Sequence, residues 1–124
     1  MTVQELYEQI GGSYDDAKRI LPMDKLIAKF VVKFLDDKSA ERLFSAWDAR
    51  DAAAFFEGAH AMKGVCANIG LTELSAAASV LADEFRPGKE RAMDDAEVQR
   101  RIDELRAGYD RATQGIRAFA ADQQ

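Results

Sequence analysis

Apolar residues recur at intervals of three and four along most of the chain, which is the spacing of an amphipathic α-helix. The pattern is clearest from 52 to 68, after a capping Asp51, and from Asp94 or Asp95 to about residue 120. Between these segments, Thr72 is positioned to cap a further helix. The apolar positions of the two main segments are Phe55, Ala59, Met62, Cys66 and Ile69, and Val98, Ile102, Leu105, Tyr109, Ala112, Ile116 and Phe119.

The first half of the chain predicts shorter helices. Thr2 and Glu5 have the spacing of a capping box, which predicts a helix from Val3 to Ile10, and Ser13 is positioned to cap a second. The polar stretch 36–39 then interrupts a third apolar pattern, so that one kinked helix and two separate helices fit equally well. The apolar positions of this pattern are Leu26, Ile27, Phe30, Val31, Phe34, Leu35, Leu43, Phe44 and Trp47.

These segments predict an all-α fold of four main helices with short extra helices at the N-terminus. Residues 1–124 are expected to form one domain, with the bundle core over roughly 23–120, because the polar link 87–93 is too short to separate two domains.

The composition and charge of the chain disfavour several classes of function. The chain has 124 residues, 48% of them hydrophobic, and a net charge of −5, which disfavours nucleic acid as a partner because phosphate binding needs a basic surface. A single cysteine excludes an internal disulfide and fits a cytoplasmic protein, and a single histidine cannot supply the clustered ligands of an ordinary transition-metal site. Charges interrupt every apolar window, so we expect neither a membrane span nor a signal peptide.

The sole histidine, His60, is one residue beyond the apolar position Ala59 and is therefore turned about 100° from that face of its helix. A neutral imidazole titrates near pH 6.5, so its free nitrogen is nucleophilic at the pH of a cell. The same helical face is predicted to carry Phe56, Lys63, Gly64 and Ala67.

Each neighbour has a physical use if the imidazole carries a phosphoryl group. Lys63 would offset the added negative charge. Gly64 costs roughly 1 kcal/mol within a helix, which is understandable if the backbone of another protein must come close. Ala61 and Ala67 would leave the same surface free of large side chains, and Phe56 would give it an apolar rim. Two alternatives stay open here: a lone helical histidine is often an ordinary surface or core residue, and a helical glycine often serves helix packing.

The run AHAMKGVCANIGLTEL, from Ala59 to Leu74, resembles the signature of histidine-containing phosphotransfer (HPt) domains. In that family the histidine is followed by an apolar residue, Lys and Gly, and the helix ends at a Gly-Leu turn. The resemblance in layout covers nearly the whole chain, but only the segment around the histidine is specific. The matching residues are His60, Met62, Lys63, Gly64, Ala67, Gly70 and Leu71.

The resemblance implies an antiparallel four-helix bundle that displays His60 on its flank. It also implies a phosphorelay intermediate, which accepts a phosphoryl group on His60 from the aspartyl phosphate of a receiver domain, or from a histidine kinase, and passes it to another receiver. Such a protein is a phosphocarrier and not an enzyme. It needs no cofactor of its own, because the receiver supplies the acidic pocket and Mg²⁺, and we expect a monomer.

One position departs from the family pattern. Some members carry a Gln twenty-two residues after the histidine to orient the imidazole, and this chain has Ala82 there. Asp83, Glu84 or a water molecule would then have to orient the ring of His60. Arg86 lies where some relatives have a second basic residue, although a simple ion pair is an equal alternative. The departure keeps a second hypothesis open, that of a non-phosphorylated helical adaptor that binds a receiver or kinase through the same face.

Overall fold

The computed structural model describes residues 1–123, and over that range the chain is helical, with no β-strand. A short 3-10 turn (Phe34–Asp36) separates the third and fourth helices, so the interrupted pattern of the first half corresponds to two helices. The seven α-helices of the described range are α1 (Val3–Ile10), α2 (Tyr14–Ile20), α3 (Asp24–Lys33), α4 (Ser39–Asp48), α5 (Ala52–Asn68), α6 (Thr72–Glu84) and α7 (Asp95–Asp122).

Side-chain caps begin several of these helices, as the sequence predicts. The hydroxyl of Thr2 accepts a hydrogen bond from the amide of Glu5 (3.1 Å), and the Glu5 carboxylate accepts one from the amide of Thr2 (2.8 Å). The side chains of Asp51 and Asp94 cap α5 and α7 by accepting a hydrogen bond from the amides of Ala54 (3.0 Å) and Glu97 (2.8 Å). The prediction that Thr72 caps α6 is wrong, because Thr72 is already the first residue of that helix.

The turn before α6 explains this difference. Gly70 has a left-handed backbone with φ of 74°, which glycine adopts without strain. The amide of the next residue, Leu71, can therefore donate back to the carbonyl of Cys66 at 2.9 Å. The chain reverses so tightly that α6 starts directly after Leu71, which makes no side-chain cap.

Helices α4 to α7 form an antiparallel four-helix bundle, and α1 and α3 pack against the long α7. The apolar positions predicted for α5 are all buried, and those of α7 are buried apart from the half-buried Tyr109. Of the apolar positions predicted in the first half of the chain, Leu26, Leu35 and Phe44 are half-buried, and Phe30 is exposed over 38% of its surface. Ile27 and Val31 occupy the buried face of α3, and Phe30 lies at the edge of that face.

The link between α6 and α7 is organised by a buried carboxylate. Only 3% of the Glu84 surface is exposed. Its oxygens accept hydrogen bonds from the amides of Ala92 (2.9 Å) and Met93 (2.7 Å), and they form ion pairs with Lys89 (3.2 Å) and Arg91 (3.4 Å). This residue therefore holds the link against the end of the bundle.

Candidate functional site

His60 lies on the exposed flank of α5, away from the buried face formed by Ala59 and Met62. The rotation of about 100° per residue explains the position, because the residue next to a buried one must leave the core-facing side. The interpretation of His60 as a core residue is therefore excluded, and its imidazole is accessible to solvent.

An aromatic side chain lies directly against this imidazole. The rings of Phe56 and His60 are stacked, with centroids 5.6 Å apart and planes inclined by 18°. The guanidinium of Arg86, just beyond α6, lies 5.8 Å from the centroid of the Phe56 ring. Arg86 in turn donates a hydrogen bond to the carboxylate of Asp83 at 2.6 Å. The structure thus brings four of the sequence-predicted residues together on neighbouring faces of α5 and α6.

The polar residues expected to orient the imidazole do not bond to it. No described residue within 1–123 makes a hydrogen bond to a ring nitrogen of His60. The carboxylate of Asp83 is engaged by Arg86, whose hydrogen bond is the main reason that the pKa of this carboxyl is lowered. The expectation for Glu84 is wrong, because its carboxylate is buried at the α6–α7 link. Ala82 is buried in the core.

The surface around Gly64 is unoccupied by neighbouring side chains. A Cβ atom added at Gly64 would have nothing within 4 Å. On the same helix, a Cβ added at Gly58 would lie 2.8 Å from the backbone nitrogen of Leu43 on α4. Gly58 is therefore the glycine that permits close helix packing, and Gly64 is not. The neighbouring Ala61 and Ala67 are exposed, so the surface beside His60 is free of bulky groups.

Lys63 borders a groove next to this surface. Its side chain is half-buried, and its carbonyl accepts a hydrogen bond from the hydroxyl of Ser75 at 3.0 Å. The groove has a volume of about 630 Å³ and lies between α5, α6 and the end of α2. Ile20 of α2, which is 52% exposed, is the largest apolar side chain that lines it. The residues that line it are Asp16, Arg19, Ile20, Lys63, Ala67, Thr72, Ser75, Ala76 and Ser79.

The sequence analysis did not identify the contribution of α2 to this groove. Ile20 and Lys63 are 43 positions apart in the chain, and no local pattern connects such distant residues. The only signal in the sequence is that Ile20 ends a short helix two residues before Pro22, so no further turn of that helix follows it.

Cys66 has no part in the site. Its side chain is buried, and burial raises the pKa of the thiol to about 12. A buried, protonated thiol is a poor nucleophile, so Cys66 is a core residue as its position predicts.

Among the described residues, no three His, Cys, Asp or Glu side chains are grouped as metal ligands would be. None of the described helices is both long and apolar enough to cross a bilayer.

A helical bundle with an exposed histidine on its flank is the arrangement that the resemblance to the HPt family implies, and comparison with known families agrees. The family model for the Hpt domain matches residues 29–115, which is most of the chain. The chain therefore belongs to the Hpt domain family, whose members are phosphocarrier modules of two-component signalling and not catalytic enzymes. No curated protein and no solved structure gave a significant match.

Proposed function

We propose that this protein is a phosphorelay intermediate in which His60 is the phosphoacceptor. The observation that carries the proposal is the accessibility of the His60 imidazole beside Gly64, where an added Cβ would meet no atom within 4 Å. A receiver domain needs such a surface, because its aspartyl phosphate lies in a recessed acidic pocket and its backbone must come close to the ring. Transfer among these partners would take place in the cytoplasm.

The transfer step exchanges one bond to phosphorus for another. The lone pair on Nε2 of neutral His60 attacks the phosphorus atom of the receiver's aspartyl phosphate. A P–N bond forms as the P–O bond to the aspartate breaks, and the bonding electrons leave with the aspartate carboxylate. Nδ1 keeps its proton throughout, and the reverse sequence passes the group to a second receiver. Mg²⁺ would be supplied by the receiver.

Lys63 and Arg86 are the two basic residues that would stabilise the transferred group. Lys63 is one turn from His60 on α5, and Arg86 reaches the same surface from the end of α6 through its contact with Phe56. Their positive charges would offset the negative charge that the phosphoryl group brings to the imidazole. Arg86 is also paired with Asp83, so part of its charge is already neutralised.

The proposal is tested with a receiver domain phosphorylated by acetyl phosphate in the presence of Mg²⁺. We expect the wild-type chain to take up an acid-labile, alkali-stable phosphoryl group, and His60→Gln to take up none while keeping its helical circular dichroism. Label on Ser, Thr or Asp would refute the assignment. The adaptor hypothesis instead predicts receiver binding that survives His60→Ala, with no uptake by the wild type.

A further inference from the structure

The ring of His60 lies against an aromatic side chain. Within residues 1–123 its nitrogens have no hydrogen-bond partner, and its aromatic neighbour is Phe56. An exposed side chain can change rotamer freely unless its neighbours restrict it. We propose that Phe56 is the positioning residue of the phosphoacceptor, in place of a polar side chain from the next helix. This inference rests on the proposed function of His60.

The geometry is suited to this role. The two residues are four positions apart on α5, so their side chains lie one above the other. A centroid distance of 5.6 Å and an inclination of 18° describe offset parallel stacking, which is a favoured arrangement of aromatic rings. Stacking restricts rotation of the imidazole about its Cβ–Cγ bond. It does so without occupying either nitrogen, which leaves the Nε2 lone pair available for attack.

The Phe56 ring is itself supported from α6. It is half-buried, and the guanidinium of Arg86 lies 5.8 Å from its centroid. The hydrogen bond of 2.6 Å to Asp83 limits the movement of that guanidinium. The contacts therefore run from Asp83 through Arg86 and Phe56 to His60, so that the orientation of the imidazole depends on two helices.

If Phe56 positions the imidazole, its loss should lower the rate of transfer from a bound receiver and leave the rate with a small phosphate donor unchanged. In a receiver complex the phosphorus is fixed in space, so Nε2 must point toward it. Loss of an aromatic stacking contact should lower the transfer rate at saturating receiver about two- to tenfold. Phosphoramidate, a small donor that diffuses freely, can approach the ring from any direction. Its rate of phosphorylating His60 should therefore stay the same.

The test compares Phe56→Leu with the wild type in single-turnover transfer over a range of receiver concentrations. We expect the saturating rate to fall two- to tenfold, the half-saturating concentration and the phosphoramidate rate to stay unchanged, and Phe56→Tyr to restore the rate. Phe44→Leu is the matched control, because Phe44 is also half-buried with a guanidinium, that of Arg106, 3.9 Å from its ring. A change confined to the half-saturating concentration would make Phe56 a docking residue and overturn the proposal, as would an equal loss with phosphoramidate.

A second measurement needs no phosphate donor. The ring current of Phe56 should shift the carbon-bound proton signals of the His60 imidazole in the wild-type NMR spectrum, and Phe56→Leu should remove that shift. Identical His60 signals in the two proteins would overturn the stacking. If the chain takes up no phosphate at all, the proposed function fails, and this measurement still decides whether Phe56 holds the ring.

Discussion

Replacing Gly64 with Ala should make the protein more stable and, at the same time, slower in phosphoryl transfer. Glycine in the middle of a helix costs roughly 1 kcal/mol relative to alanine. Apart from its chain neighbours and the backbone of its own helix, the new methyl group would meet no atom within 4 Å, so no packed neighbour opposes this gain. We therefore expect the free energy of unfolding to rise by about 1 kcal/mol, which corresponds to a rise in Tm of about 3–5 °C for a chain of this size.

The same methyl group would occupy the space that the receiver backbone is proposed to use. A displacement of about 1 Å at a reacting centre can lower a rate by as much as about 100-fold. Gly64→Ala should therefore reduce the saturating rate of transfer from a receiver, and the longer side chain of Gly64→Gln should reduce it further. Phosphorylation by phosphoramidate should be unaffected in both variants, because this small donor needs no close approach by a protein backbone.

Gly58→Ala on the same helix is the control. Its Cβ would lie 2.8 Å from the Leu43 nitrogen and 3.0 Å from the Leu43 Cα. Overpacking costs about 1–3 kcal/mol and the gain in helix propensity offsets about 1 kcal/mol, so this variant should be unchanged or up to about 2 kcal/mol less stable. Urea unfolding followed by far-UV circular dichroism measures the free energy of unfolding of both variants. A destabilised Gly64→Ala would show that the surface is not free, and an unchanged receiver rate would refute the need for clearance.

Three further outcomes are expected. Glu84→Gln should lower the free energy of unfolding by about 1.5–3 kcal/mol, because hydrogen bonds to a charged acceptor are lost from the α6–α7 link. Burial raises the pKa of the Glu84 carboxyl, but the hydrogen bond from the Met93 amide and the ion pair with Lys89 lower it more, so the net shift is downward. The stabilisation by Glu84 is therefore present above the ordinary pKa of a carboxyl and is lost as the pH falls through the lowered pKa. The free energies of unfolding of the wild type and Glu84→Gln, measured by urea titration, should converge in acid. A difference that stays the same at every pH would contradict the role given to the carboxylate. Cys66 should not react with a thiol reagent at neutral pH until the protein unfolds, because burial raises the pKa of its thiol to about 12; rapid reaction of the native protein would show that the thiol is accessible. Lys63→Ala should slow transfer from the receiver about tenfold and change the free energy of unfolding by less than about 0.5 kcal/mol. A transfer rate equal to that of the wild type would remove the role proposed for Lys63.

Local sequence patterns predicted most of the helices and the side of α5 on which His60 lies. The bounds of α1 and α5 agree with the prediction because caps, terminal glycines and the spacing of apolar residues act over a few residues only. The motif around His60 is likewise contained within one helix and the turn that follows it. Interactions within one helix and its caps are therefore sufficient to specify these features.

The contacts between helices were decided by the tertiary structure. The sequence left Gly64 open between helix packing and clearance, and only the position of α4 assigned packing to Gly58 instead. Glu84 is adjacent to Asp83 in sequence, yet successive residues of a helix point about 100° apart, so that one is exposed and the other is buried at the α6–α7 link. The groove beside Lys63 depends on α2, which local periodicity cannot place. Local patterns determined which helices form and which face of each is apolar, whereas contacts between residues distant in the chain determined what lies next to His60.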